Sequence, residues 1–134
     1  MKKILLICSL ILSNTIYAGE PEKDASQALL KLEIALQANN LQDILKLLSK
    51  KNADLYTVTW RSPEENLQEA KTETQRHLPK KMQIKSSEKI SENEIDIMVE
   101  GLRWESDKVI YKVSMQLENE HWVFKRGKFI DFVK

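Results

Sequence analysis

With 21 basic and 20 acidic side chains over 134 residues, the chain carries almost no net charge and offers no electrostatic basis for non-specific nucleic-acid binding. One cysteine excludes a disulfide framework, and three glycines leave no phosphate-cradling loop. The length suits one domain with one core.

Met1-Lys2-Lys3 is a short basic segment, Ile4 to Leu12 an almost unbroken apolar run, and Ala18 a small residue ahead of Gly19. This reads as a cleavable bacterial signal peptide over residues 1–18. The run is far short of the ~20 residues of a spanning helix, so no stable membrane span is expected after cleavage. Cys8 lies within the apolar run rather than at a lipid-modification site. Removing 18 of 134 residues leaves 116, and it takes away Lys2, Lys3 and Cys8, so 19 basic residues face 20 acidic ones. The mature chain, 19–134, is expected to be a single domain, periplasmic or secreted, stabilised by packing without disulfides.

Pro21 to Ala38 places Ala25, Ala28, Leu29, Leu32, Ala35 and Leu36 at helical spacing. A second helix is expected over Leu41–Lys50, with Asn40 as N-cap and Lys50-Lys51 favouring its C-terminal dipole. The period then changes. Leu55 to Trp60 is rich in β-branched and aromatic residues and reads as a strand, with Tyr56, Val58 and Trp60 on one face. Ser62-Pro63-Glu64-Glu65 is a capping box with proline at the first helical position, and the helix it opens should reach about His77, before Pro79.

From Lys81 onward the pattern is strand. Met82, Ile84 and Ile90 mark the first. Ile95, Ile97 and Val99 mark the second, with Gly101 a candidate bulge. Val109, Tyr111, Val113, Met115 and Leu117 mark the third, after a turn at Ser106-Asp107-Lys108. His121 to Val133 closes the set after Asn119-Glu120. Short loops imply an antiparallel meander, and one-sided alternation implies one buried face that the helices must cover. The fold class is therefore α+β: N-terminal helices on a curved antiparallel meander sheet, in the order α-α-β-α-β-β-β-β.

Three stretches resemble a known superfamily: Ala35 to Leu48 as a helix–turn–helix opening, Ile84 to Val99 as a strand pair, and Glu120-His121-Trp122-Val123-Phe124-Lys125 as a closing strand. Together they resemble the nuclear transport factor two-like fold, the α+β cone grouped with cystatin-like folds, and small exported bacterial proteins of that type. The resemblance implies a curved sheet wrapped on a long helix with a pocket between them. It supplies no catalytic fingerprint, because fold does not give function.

Two histidines, His77 and His121, lack any paired ligand spacing, so no metal site and no cofactor are expected. No G-x-S-x-G is present. Some superfamily members are isomerases or dehydratases with a pocket carboxylate, and on that resemblance Asp96, Tyr56, Tyr111 and Asp131 are the available groups. The plainer expectation is that Asp96 points outward beside Lys112 or Gln116. The aromatic residues Tyr56, Trp60, Tyr111 and Trp122, with Phe124, either line a pocket for a small apolar ligand or form the core. Arg103 and Trp104 sit at a strand end beside a turn, where they could anchor a protein partner. Lys80-Lys81, Lys85, Lys125-Arg126 and Lys128 read as solvated sheet edges. The expected function is non-catalytic binding of an envelope protein or a small apolar ligand, with a toxin-neutralising immunity protein as one concrete version. A pocket isomerase or dehydratase is the alternative.

Overall fold

The computed structural model describes residues 20–134, so the expected leader lies outside the described residues. Helix α1 spans Glu20–Gln37 and buries Ala25, Leu29, Leu32, Ala35 and Leu36, one stripe at helical spacing. It ends where Asn39 turns left-handed at φ 56°. The Asn40 amide bonds back to the Ala35 carbonyl and the Asn39 amide to Leu36, a Schellman closure. Asn40 then caps α2, Leu41–Leu47, its Oδ1 accepting from the Asp43 amide at 3.1 Å.

Helix α2 stops earlier than the periodicity predicts. Leu48 leaves the helix to form a parallel bridge with Phe124, and the Ser49 amide donates to the Phe124 carbonyl at 2.9 Å. Burial of Leu48 and the bridge to the sheet edge outweigh continuation of a short helix. Lys50 and Lys51 therefore open a separate turn, α3 (Lys50–Ala53), capped by Ser49.

The segment 55–60 is not a strand. Asp54–Tyr56 forms a 3₁₀ turn and the chain stays irregular to Trp60. Its carbonyls find side chains rather than a neighbouring strand. Arg61 Nη2 donates to the Leu55 carbonyl at 2.6 Å, and Asn66 Nδ2 to the Val58 carbonyl at 3.1 Å. Arg61 Nε donates in turn to Asn66 Oδ1, so a buried asparagine fixes the loop. Strand propensity lost here to local satisfaction of backbone groups. Helix α4, Pro63–Arg76, follows with the expected capping box formed in full and with Asn66, Ala70 and Thr74 buried.

Four strands complete the chain: β1 (Lys80–Ser91), β2 (Glu94–Arg103), β3 (Asp107–Glu118) and β4 (His121–Phe132). They form one antiparallel meander in the order β1-β2-β3-β4. β2 and β3 pair without a break from Glu94↔Gln116 to Arg103↔Asp107. Both edge strands carry irregularities instead, β1 between Lys80 and Gln83 among other places, β4 near Lys125 and Ile130. Bulges bend a strand, so the edges curl while the centre stays regular. The expected bulge at Gly101 lies across from it, on β1, where Lys81 sits at φ 55°. Gly101 is needed for that approach, since a Cβ there would stand 2.5 Å from the Lys80 carbonyl oxygen. The β2–β3 turn also moves, occupying residues 104–106 rather than 106–108.

The helix-facing side of the sheet carries Ile95, Ile97, Val99, Val109, Tyr111, Val113, Met115 and Phe124, all buried with the α1 stripe. Helix α1 packs on β1, β2 and β4. This is the α+β arrangement of helices over a meander, with the first expected strand replaced by a turn. Among the described residues no helix is long and apolar enough to cross a membrane.

Candidate functional site

The end of β2 is built by alternation. Ile95, Ile97 and Val99 face the helices, and Gly101 and Arg103 follow in phase. A charged residue thus terminates the apolar column at the open end of the sheet. Trp104, at φ 59°, turns the chain immediately afterwards and is 69% exposed.

Three rings hold the Arg103 guanidinium. Its Cζ lies 4.4 Å from the Trp104 ring centre, 4.6 Å from Phe129 and 5.4 Å from Phe132. Phe129 meets Phe132 edge-on at 5.1 Å and Tyr111 edge-on at 5.9 Å. Residues three apart on a strand normally face opposite sides. The extra residue at Ile130 changes the parity, so Phe129 pairs with Tyr111 and Phe132 with Val109 on the helix-facing side. Arg103 Nε is buried and has no hydrogen-bond partner among the described residues. No carboxylate lies within ion-pair distance of the guanidinium among the described residues.

A cavity of about 520 Å³ opens beside this cluster, between the last turns of α4 and the β2–β3 end. Arg76, Lys80 and Arg103 line it together with Leu78, Leu102 and Tyr111. Among the described residues its lining contains three cationic residues and no carboxylate. Arg76 is compensated from outside by Glu73, at 2.7 Å.

The remaining predicted residues do not converge. Asp96 alternates with the buried Ile95 and Ile97, so its carboxyl lies on the face away from the helices. It accepts from Ser114 Oγ at 2.8 Å, a partner other than the expected Lys112 or Gln116. Tyr111 faces the helices, on the other side of the sheet from Asp96. Tyr56 is buried in the turn before α4, and burial, then Glu73 and Glu69, push its phenol pKa upward against the opposing pull of Arg61. The phenol therefore stays protonated at neutral pH. Trp60 is 77% exposed with Arg61 over its ring at 4.9 Å. Trp122 borders a different groove, of about 800 Å³, between α1, α2 and the β3–β4 hairpin. Tyr111 and Leu117, the partner of Trp122, stand six residues apart on β3, or about 20 Å at the usual strand rise. The four aromatics Tyr56, Trp60, Tyr111 and Trp122 therefore line no common pocket. Asp131 accepts from the neighbouring Phe132 amide at 2.8 Å. His77 caps α4 and His121 opens β4, and no three metal-ligating side chains cluster among the described residues.

Phe129 and Phe132 escaped the sequence reading because a bulge set their facing. Arg103 did carry a signal: it falls in phase with Ile95, Ile97 and Val99.

No known family profile matches the sequence, and no curated protein matches it. The fold is similar to that of an NTF-2 like protein of unknown function from Shewanella oneidensis MR-1, with a TM-score of 0.52 and 15% identity, covering 83% of this chain and 99% of that one. At that identity the likeness bears on architecture alone. With helices over a four-stranded meander, the chain has the nuclear transport factor two-like fold.

Proposed function

We propose that the protein is a non-catalytic binding domain that works after export, in the periplasm or outside the cell, by docking a protein partner on the Arg103–Trp104 corner. The observation that carries this reading is a tryptophan left 69% exposed yet braced by a guanidinium at 4.4 Å. Exposed Trp and Arg are the residue types that anchor protein interfaces. Aromatic stacking holds the arginine in place before binding, which lowers the entropy lost on association. The basic and apolar leader of residues 1–18 supports export, and an immunity protein that neutralises a toxin is one form this role takes.

A carboxylate-base enzyme gains nothing from the geometry, since Asp96 and Tyr111 occupy opposite faces of the sheet. The test pairs localisation with capture. Fractionation should find the processed chain outside the cytoplasm. Recovery of a specific envelope or toxin protein should fall at least about tenfold with Trp104→Ala. Cytoplasmic retention of the whole chain defeats the export reading, and undiminished recovery with Trp104→Ala defeats the docking corner.

A further inference from the structure

The cavity beside Arg103 carries charge of one sign, unlike the mixed linings of the grooves at Trp122, at Asp43 and at Glu33. The full chain is nearly neutral, yet Arg76, Lys80 and Arg103 border one opening whose lining among the described residues holds no carboxylate. Glu73 compensates Arg76. Lys80 and Arg103 have no acidic partner within ion-pair distance among the described residues. The register pairs Lys80 with Leu102, one residue before Arg103 and on the opposite face by alternation, and both border the opening at the sheet end, where β1 is irregular between Lys80 and Gln83. Rings occupy the space around the guanidinium, so its edge donors are what remain to be satisfied. A fork of N–H donors on a fixed plane matches a planar carboxylate in two parallel hydrogen bonds. The walls beside it are apolar: Leu78, Leu102 and the exposed Trp104. The volume of about 520 Å³ falls within the ~300–1,000 Å³ of small-ligand pockets.

We infer that this cavity binds a carboxylate carried on an apolar group, with the carboxylate on Arg103 and Lys80 and the apolar body against Leu78, Leu102 and Trp104. A single negative charge fits better than a doubly charged phosphate, because the α4 C-terminus ends at the cavity and directs its partial negative charge there. The carboxylate comes either from a free organic acid or from the C-terminus of a polypeptide. The inference rests on the Arg103–Trp104 corner as the binding region, but it does not require the partner to be a protein.

The experiment titrates the purified protein with 4-phenylbutyrate, with the uncharged 4-phenylbutan-1-ol and with phenyl phosphate, following tryptophan fluorescence and the Arg side-chain Nε–Hε NMR signals. The acid should bind saturably and at least about tenfold more tightly than the alcohol, with the Arg103 signal shifting. Arg103→Gln should weaken the acid by about tenfold or more, and Lys80→Gln, at an exposed site that folding tolerates, by about three- to fivefold. Equal binding of acid and alcohol, phenyl phosphate preferred by about tenfold, or both variants within about twofold of wild type would overturn the inference. A phenylalanine-ended peptide, as free acid and as amide, separates the sources. Free-acid peptide tighter than 4-phenylbutyrate assigns a polypeptide C-terminus, and parity assigns a free organic acid. Partner capture lost in Trp104→Ala without any acid preference would sink the carboxylate pocket and leave the docking corner standing.

Discussion

Gly127 on β4 lies directly against the carbonyl of His77, the residue that ends α4, with no space for a Cβ between them. This contact seats the C-terminal end of α4 on the sheet. It thereby fixes one wall of the Arg103 cavity, which Arg76 lines from the helix and Arg103 from the strand.

Gly127→Ala should therefore destabilise the protein by about 1–3 kcal/mol, the usual cost of forcing a methyl group into a packed site. Urea denaturation checks the magnitude. Because the collision is with backbone, a shift in the α4 C-terminal amide NMR signals should accompany it. A stability within about 0.5 kcal/mol of wild type would show that the helix end yields freely.

Asp96 should behave as a structural carboxylate. Among the described residues its side-chain partner is Ser114, itself buried, at 2.8 Å. Removing a hydrogen bond to a charged group costs about 1.5–3 kcal/mol, so Asp96→Ala and Ser114→Ala should each destabilise and should couple in a double-mutant cycle. Additive effects would show that the pair is not energetically linked.

Tyr56 predicts a stability loss at alkaline pH. Its folded pKa is raised above the ordinary 10.0, first by burial. The folded state therefore holds the proton after the unfolded state has released it, and stability falls as pH rises above the unfolded value. The contribution is complete below that value and disappears as pH rises through the folded one. Unfolding free energies measured across this range should decline less steeply for Tyr56→Phe than for wild type. Parallel curves would remove Tyr56 as the source.

Trp104→Gly should separate binding from stability. A left-handed non-glycine residue costs roughly 1–2 kcal/mol, and Trp104 stands at φ 59°. The exchange also removes a cation–π contact to Arg103, worth about 0.5–1 kcal/mol at an exposed position. The net change in stability should lie within about 1 kcal/mol, while partner binding is lost. A loss above about 3 kcal/mol would make Trp104 a folding residue.

Much of the architecture was legible in residue order. The α1 stripe, the Asn40 cap, the Ser62–Glu65 capping box and the β2 and β3 alternation are local signals, each expressed within a few residues of chain. They suffice for the helix–meander fold because helix and strand periods differ and one face must be buried. Sequence alone also carries the leader pattern of residues 1–18, which lies outside the described structure.

Tertiary structure decided the rest. Tyr56 to Trp60 has strand composition but no strand beside it, and Arg61 and Asn66 satisfy its carbonyls instead. The early end of α2 depends on Phe124, far away in sequence. The site depends on distance most of all. Phe129 and Phe132 reach Arg103 only because a bulge in β4 reverses strand parity. Sequence spacing set which residues could lie on a common face. Edge-strand bulges, selected by packing across the whole sheet, determined which of them meet around the guanidinium.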